Sequence, residues 1–398
     1  NINLYFVSEK DSFSIQETTL KYSDNERSIE GKGGVLEFDI EIDFIGRPNL
    51  ELESYNLDQN NVSVFASNAI LQTTFLKKTK GIFEYNSSRK TNKNERNYFV
   101  FTSHSNKINI PINKKTKLVS GVNIQGEKFS TASTKKSSSR IISLLSKGNS
   151  LEFQSKDFLI EKTKISSLDS RFVLYHNDDS LYNESVRIEY NLENRDLKLY
   201  RTKGSLKNSA YYSSFFDVSI NADMLEWNLN IDNILLKNIT AANQRPVIIE
   251  SSNYFSRQRV QQLTDMNGVN ILKIIVNYSN LKKENEFYLD DVARYFKMKP
   301  KALKSGLIKL WQNGHIQYDP SVGLIKLNYK IKHYFYSQIN KRDYDQIIFN
   351  SISPQSKNVQ FNLTKESIFV NGVSQIILSR ENNITIFPTE KTIELLND

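Results

Sequence analysis

The chain contains no cysteine, no run of about 18 apolar residues and no clustered histidines, and each absence removes a class of protein. Without cysteine there is no disulfide, no thiolate metal site and no cysteine nucleophile. The compartment stays open, because a reducing cytosol and a bacterial envelope protein built without disulfides both fit. Without a long apolar run, no helix of this chain is expected to span a membrane. The histidines, His104, His176, His315 and His333, stand far apart, and none has another at i+3 or i+4, so the usual zinc spacing is missing. No catalytic residue, metal ligand or cofactor site is assigned, and no cofactor is expected. The first residues, Asn1-Ile2-Asn3-Leu4, carry neither methionine nor a signal-peptide pattern, as in a processed chain or a piece of a longer one.

What is present points to β structure. The 398 residues are enough for two or three domains or for one elongated repetitive one. The hydrophobic share is only 38%, yet 23 Phe and 20 Tyr supply large apolar groups, a balance that suits thin, extended sheets with much of each strand in water. The net charge of +9 would permit nucleic acid, anionic lipid or acidic polysaccharide as partners. Because 44 acidic residues are interleaved with 53 basic ones, a mixed solvated surface is the favoured account.

Residues 35–44, VLEFDIEIDF, set the style. Leu36, Phe38, Ile40, Ile42 and Phe44 alternate with Glu37, Asp39, Glu41 and Asp43, a period of two that predicts a half-buried strand with a ladder of carboxylates outside. Short strand-like runs follow through residue 124, and more regular ones from 151 to 239, most ending in Asn, Asp, Ser or Gly. Between them the polar run 130–139, STASTKKSSS, reads as a mobile loop or linker. Units that cannot bury an apolar face alone can do so against neighbours. A right-handed β-helix or similar β-solenoid is therefore the preferred architecture, with a large β-sandwich as the alternative.

From residue 254 the period changes. Val260 and Leu263, then Ile271, Leu272, Ile275, Val276 and Leu281, then Leu289, Val292, Ala293 and Phe296, sit at helical spacing. Asp290 and Asp291 fall where a helix dipole favours negative charge, and Pro300 is at home in the first turn of the next helix. That helix carries an apolar stripe of Leu303, Leu307, Leu310 and Trp311 and ends at Asn313-Gly314. A hairpin with Asp319-Pro320-Ser321-Val322-Gly323 at its tip comes next. Over about 60 residues this layout resembles a winged helix-turn-helix.

The resemblance implies a helix that enters the major groove with basic residues on phosphates. The matching positions are Lys299, Lys301, Lys304, Lys309 and Lys326, with Lys297, Ser305 and Lys330 beside them. Against DNA stands the shortage of base-reading side chains, with only Arg294 and Gln312 at poor positions. The module also lies inside a long β-rich chain, an arrangement that resembles large repetitive cell-envelope proteins of Gram-negative bacteria. Two further clusters read as structure before chemistry. His176-Asn177-Asp178-Asp179-Ser180 holds groups that suit a cation or a general base, but a polar turn between strands is the favoured reading. The carboxylates of 35–44 have the chemistry of a glycosidase pair, but the wet face of a sheet is the favoured reading.

The expected organisation is a β-rich region at 1–130, a polar linker at 131–150, a repetitive β region at 151–253, a winged-helix-like module at 254–341 and a returning β region at 342–398. The expected fold is mainly β with an inserted α+β module. The expected role is a non-enzymatic scaffold or protein-interaction role, in the cell envelope, whose partner is another protein or the rest of a longer parent chain. Nucleic-acid binding through the module is the alternative, and a carbohydrate-active β-helix a further one.

Overall fold

The computed structural model describes the chain except for residues 8–11, 25–27, 39–40, 43, 59–61, 87–98, 134–137, 146–147, 202–209, 240–244, 253–269, 321, 341–346, 354–356, 380–382 and 397–398. The protein is mainly β with a smaller inserted α+β region. It divides into two units: Asn1–Leu144 with Glu152–Leu168 and Glu189–Glu193, and Leu145–Leu151 with Asp169–Ile188 and Asn194–Asp398.

In the first unit, the long strand Ser12–Ser23 pairs with Ile2–Val7 on one side. On the other it pairs in succession with Ser28–Lys32 and Val35–Phe38, and both of those pair onward with Asn49–Asp58. Ser63–Gln72, Thr79–Asn86, Phe99–Ser103 and Thr116–Gln125 extend the meander. Alternation explains the burial: along Thr79–Asn86, Phe83 and Tyr85 point into the core while Lys80 and Glu84 do not. Phe83 lies directly opposite Phe101, and Phe99, Phe101 and Phe129 are all buried, each contributing roughly 1.5–3 kcal/mol of burial free energy.

In the second unit, two series of strands run through the fold. One is Asp196–Arg201, Met224–Asn228, Asn233–Lys237, Val359–Asn362, Ser367–Asn371 and Thr392–Leu396. The other passes from Leu181 and Tyr182 to Tyr211–Ser213, Val218–Asn221, Val247–Ser251, Ile348–Ser351, Val373–Ser379 and Ile384–Ile386.

Every ladder named in either unit is antiparallel, which corrects the β-helix expectation, since the rungs of such a helix stack in parallel. Two further expectations change. Of the strand predicted at 35–44, the described part is Val35–Phe38, and Asp39, Ile40 and Asp43 lie outside the described residues. Ile42 and Gly46 exchange backbone hydrogen bonds across a turn, and Phe44, at φ 75°, stacks on Phe75 instead of extending a ladder. Part of the run read as a linker belongs to the sheet, with Ser130 to Ala132 in the strand Lys128–Ala132 and Ser139 opening Ser139–Leu144.

The helical block interrupts a pair of neighbours. Val247–Ser251 and Ile348–Ser351 lie side by side, with Ile249 opposite Phe349, and the Ser251 N–H donates to the Ile347 carbonyl at 2.8 Å. Everything between is an insertion at that point. Its described part comprises α1 (Ile271–Lys282), α2 (Leu289–Tyr295), α3 (Pro300–Gln312) and α4 (Tyr329–Asn340), with a three-stranded antiparallel sheet of Glu286–Tyr288, Leu324–Leu327 and Ile316–Asp319. The expected helix through Val260 and Leu263 lies outside the described residues.

Local chemistry fixes these elements. Asn270 caps α1 by accepting from the Lys273 N–H at 3.0 Å, and Lys283 closes it in the left-handed region. Asp290 and Asp291 sit in the first turn of α2, and Pro300 opens α3. One core gathers Ile271, Ile275, Val276, Val292, Leu303, Leu307, Leu310, Ile316, Ile325, Ile331 and Tyr334. Gly306 lets α1 and α3 approach, because a Cβ there would lie 2.2 Å from Cγ1 of Ile271. Leu281, expected on the apolar face of α1, is exposed instead.

Candidate functional site

The histidines resolve into separate structural settings. His104 Nε2 lies 2.9 Å from the Ser67 carbonyl. His315 and His333 are buried within the module, their rings 4.4 and 6.5 Å from that of Tyr334. His176 Nε2 lies 3.0 Å from Glu366 Oε1, to which Asn177 also donates at 3.4 Å. Ser214 Oγ donates to Asp179 at 2.7 Å and accepts from the Ser180 N–H at 2.9 Å. The polar turn at 176–180 is thus stitched to neighbouring turns by its own side chains. Among the described residues, no three His, Asp or Glu side chains converge as a metal set would.

On the carboxylate face of the first unit, Glu41 is exposed while other groups have local partners. Glu37 accepts from Gln16 at 2.6 Å, and on the adjoining strand Glu51 and Glu53 pair with Lys78 and Lys80 at 3.3 and 2.8 Å. Asp39 and Asp43 lie outside the described residues.

The lysines of the module fall into two groups. Lys297, Lys299, Lys301, Lys304, Lys309 and Lys326 are all exposed. Lys301 and Lys304 share one face of α3 at a spacing of three, and Lys326 lies opposite Glu286 and Gln317 in the small sheet. Lys330 departs from expectation: it is buried, with Nζ 5.8 Å from the ring centres of both Tyr212 and Tyr334. Trp311, Ile308 and Tyr318 pack into the module's own core.

The burial of Lys330 marks where the module meets the sheet it interrupts. Gly314, directly after α3, adopts φ 72°, and a Cβ there would lie 2.4 Å from the ring of Tyr212. Tyr212 sits on the strand Tyr211–Ser213 and stacks on Tyr182 at 5.4 Å. Burial, with Tyr182, Glu250 and Glu184 close by, pushes the Tyr212 hydroxyl well above the ordinary tyrosine range. Near the junction, Arg171 is held by Glu184 at 3.2 Å and Ser219 Oγ donates to Glu250 at 3.2 Å. The sequence marked Gly314 as a helix stop and Lys330 as a surface charge; their common neighbour Tyr212 is remote in the chain and carries no local signal.

Comparison with protein-family models, curated proteins and solved structures finds no match.

Proposed function

We propose that the protein is a non-enzymatic interaction scaffold, a β-rich body that carries a winged-helix module used for docking. Support for the winged-helix identity is the order of elements: α1, a short strand, α2, α3, and two strands joined by a tip at which the Gly323 N–H donates to the Asp319 carbonyl. The observation that carries the docking reading is the junction of Gly314 and Lys330 on Tyr212, which fastens the end of α3 and the start of α4 to the sheet. In that reading the exposed start of α3 and the hairpin tip face a protein partner or another part of a longer chain.

The exposure of Lys299, Lys301, Lys304, Lys309 and Lys326 favours nucleic acid as a second reading. Fluorescence anisotropy of the full chain on random duplex DNA, at low and physiological salt, separates the two. Docking on protein predicts no affinity tighter than about 10⁻⁴ M even at low salt. A micromolar affinity that falls steeply with salt would replace the first reading by the second.

A further inference from the structure

Four tyrosine rings of the second unit are covered by the chain's own cations. Arg187 lies 4.3 Å from the Tyr200 ring centre, Arg171 lies 6.0 Å from that of Tyr182, and Lys330 serves both Tyr212 and Tyr334. A group of tyrosines on the module is different. Tyr278, Tyr288 and Tyr295 line an open cleft of about 470 Å³ together with Glu284, Glu286 and Asp291. Among the described residues, no cation of the chain lies over any of these three rings.

The local fold builds this cleft. α1 ends at Lys282, the chain turns through Lys283, and the strand Glu286–Tyr288 sends Phe287 inward and its neighbours outward. Tyr278 is fixed edge-on between Phe287 at 4.9 Å and Tyr295 at 5.6 Å, so the back wall is held in place. Tyr288 and Tyr295 are each 52% exposed and leave ring surface for a visitor. Burial, followed by the Asp291 and Glu284 carboxylates, raises the affinity of the Tyr278 hydroxyl for its proton.

Lys282 and Arg294 also line the space, and Arg294 is tied to Asp291 at 3.5 Å, so the carboxylates outnumber the cations. An anion would meet the carboxylates, and an apolar side chain would cover them without a partner. A cation gains both the ring faces and the carboxylates, where each cation–π contact is worth about 0.5–2 kcal/mol.

We propose that this cleft takes the ammonium or guanidinium of a lysine or arginine on a basic segment of a partner protein. The inference rests on the reading of the module as an interaction element. Its test touches neither the Tyr212 junction nor the lysines of α3, so the two can fail separately.

The full chain labelled with fluorotyrosine is titrated with N-acetylarginine amide, a Ser-Arg-Ser peptide, tetramethylammonium chloride and N-acetylnorleucine amide. The fluorine resonances are assigned through Tyr288→Phe and Tyr295→Phe. The expected result is saturable millimolar shifts of those two resonances with both arginine ligands, none with norleucine, and affinity about tenfold weaker in Glu284→Gln, which lies outside every helix. Equal responses to arginine and norleucine, or unchanged affinity in Glu284→Gln, would overturn the site. Saturation by tetramethylammonium alone would overturn the peptide assignment in favour of a small organic cation.

Discussion

At its first turn, α3 stands in solvent with Lys299, Lys301 and Lys304 exposed; at its last, the chain runs into Gly314, closed over by the Tyr212 ring, and His315, which is 1% exposed. One helix thus has a beginning that accepts almost any polar residue and an end where backbone angle, side-chain size and neighbours are all prescribed. The difference teaches where the fold is specified and where function has room to vary. The prescribed end attaches the module, and the other end stays open to solvent.

The sharpest way to break this contrast is Gly314→Val. A β-branched side chain at φ 72° is strained, and its Cβ would enter the Tyr212 ring, so a loss of about 3–5 kcal/mol is expected in the unfolding of the second unit. Urea denaturation followed by Trp227 and Trp311 fluorescence measures it, with hydrogen exchange reporting whether protection is lost first at the start of α4. A cost below 1 kcal/mol would mean that the junction does not hold the module.

A second effect, smaller, appears only in alkali. The Tyr212 proton is retained in the folded state at a pH where the unfolded chain, with an ordinary tyrosine, has released it. Above about pH 10 the unfolded state then binds fewer protons than the folded one, so stability is present below that pH and falls as pH rises, by about 1.4 kcal/mol per pH unit for each such group. Tyr182 and Tyr211 are shifted in the same direction by burial and add to the slope. Denaturation midpoints between pH 8 and pH 11 should therefore decline, less steeply in Tyr212→Phe than in the unaltered chain. Identical slopes would show that Tyr212 ionises as freely when folded as when unfolded.

How much of this was legible follows from the range of each signal. The apolar spacing of Ile271, Ile275 and Val276, and of Leu303, Leu307 and Leu310, is local, and both helices are where it puts them. Ile331, Tyr334 and Phe335 carry the same spacing in α4, but Lys330, Lys332 and His333 break the stripe, so the segment after the hairpin gives no clear helical signal. The alternation in 35–44 marks Leu36 and Ile42 as buried, as they are, but it cannot say whether a neighbour continues the ladder, and Phe44 stacks on Phe75. The same limit misdirected the architecture, since a short alternating strand followed by Asn or Gly looks alike in a parallel solenoid and an antiparallel meander. Tyr212 and the cleft tyrosines were missed because a binding surface is defined by rings from several elements, and no spacing within one element announces it.

The smallest predicted effect is the most useful for function. Lys301→Ala and Lys304→Ala remove charges that stand exposed on α3, so each should change stability by less than about 0.5 kcal/mol. Alanine even raises helix propensity slightly, and removing a positive charge near the N-terminus relieves a small unfavourable interaction with the helix dipole. A cost above 1 kcal/mol in the same denaturation experiment would mean that the start of α3 is as constrained as its end, and the contrast would fail. If stability is unchanged while partner or duplex binding weakens, the exposed end of α3 is a contact surface, and Gly314→Val, which leaves those lysines in place, separates loss of attachment from loss of contact.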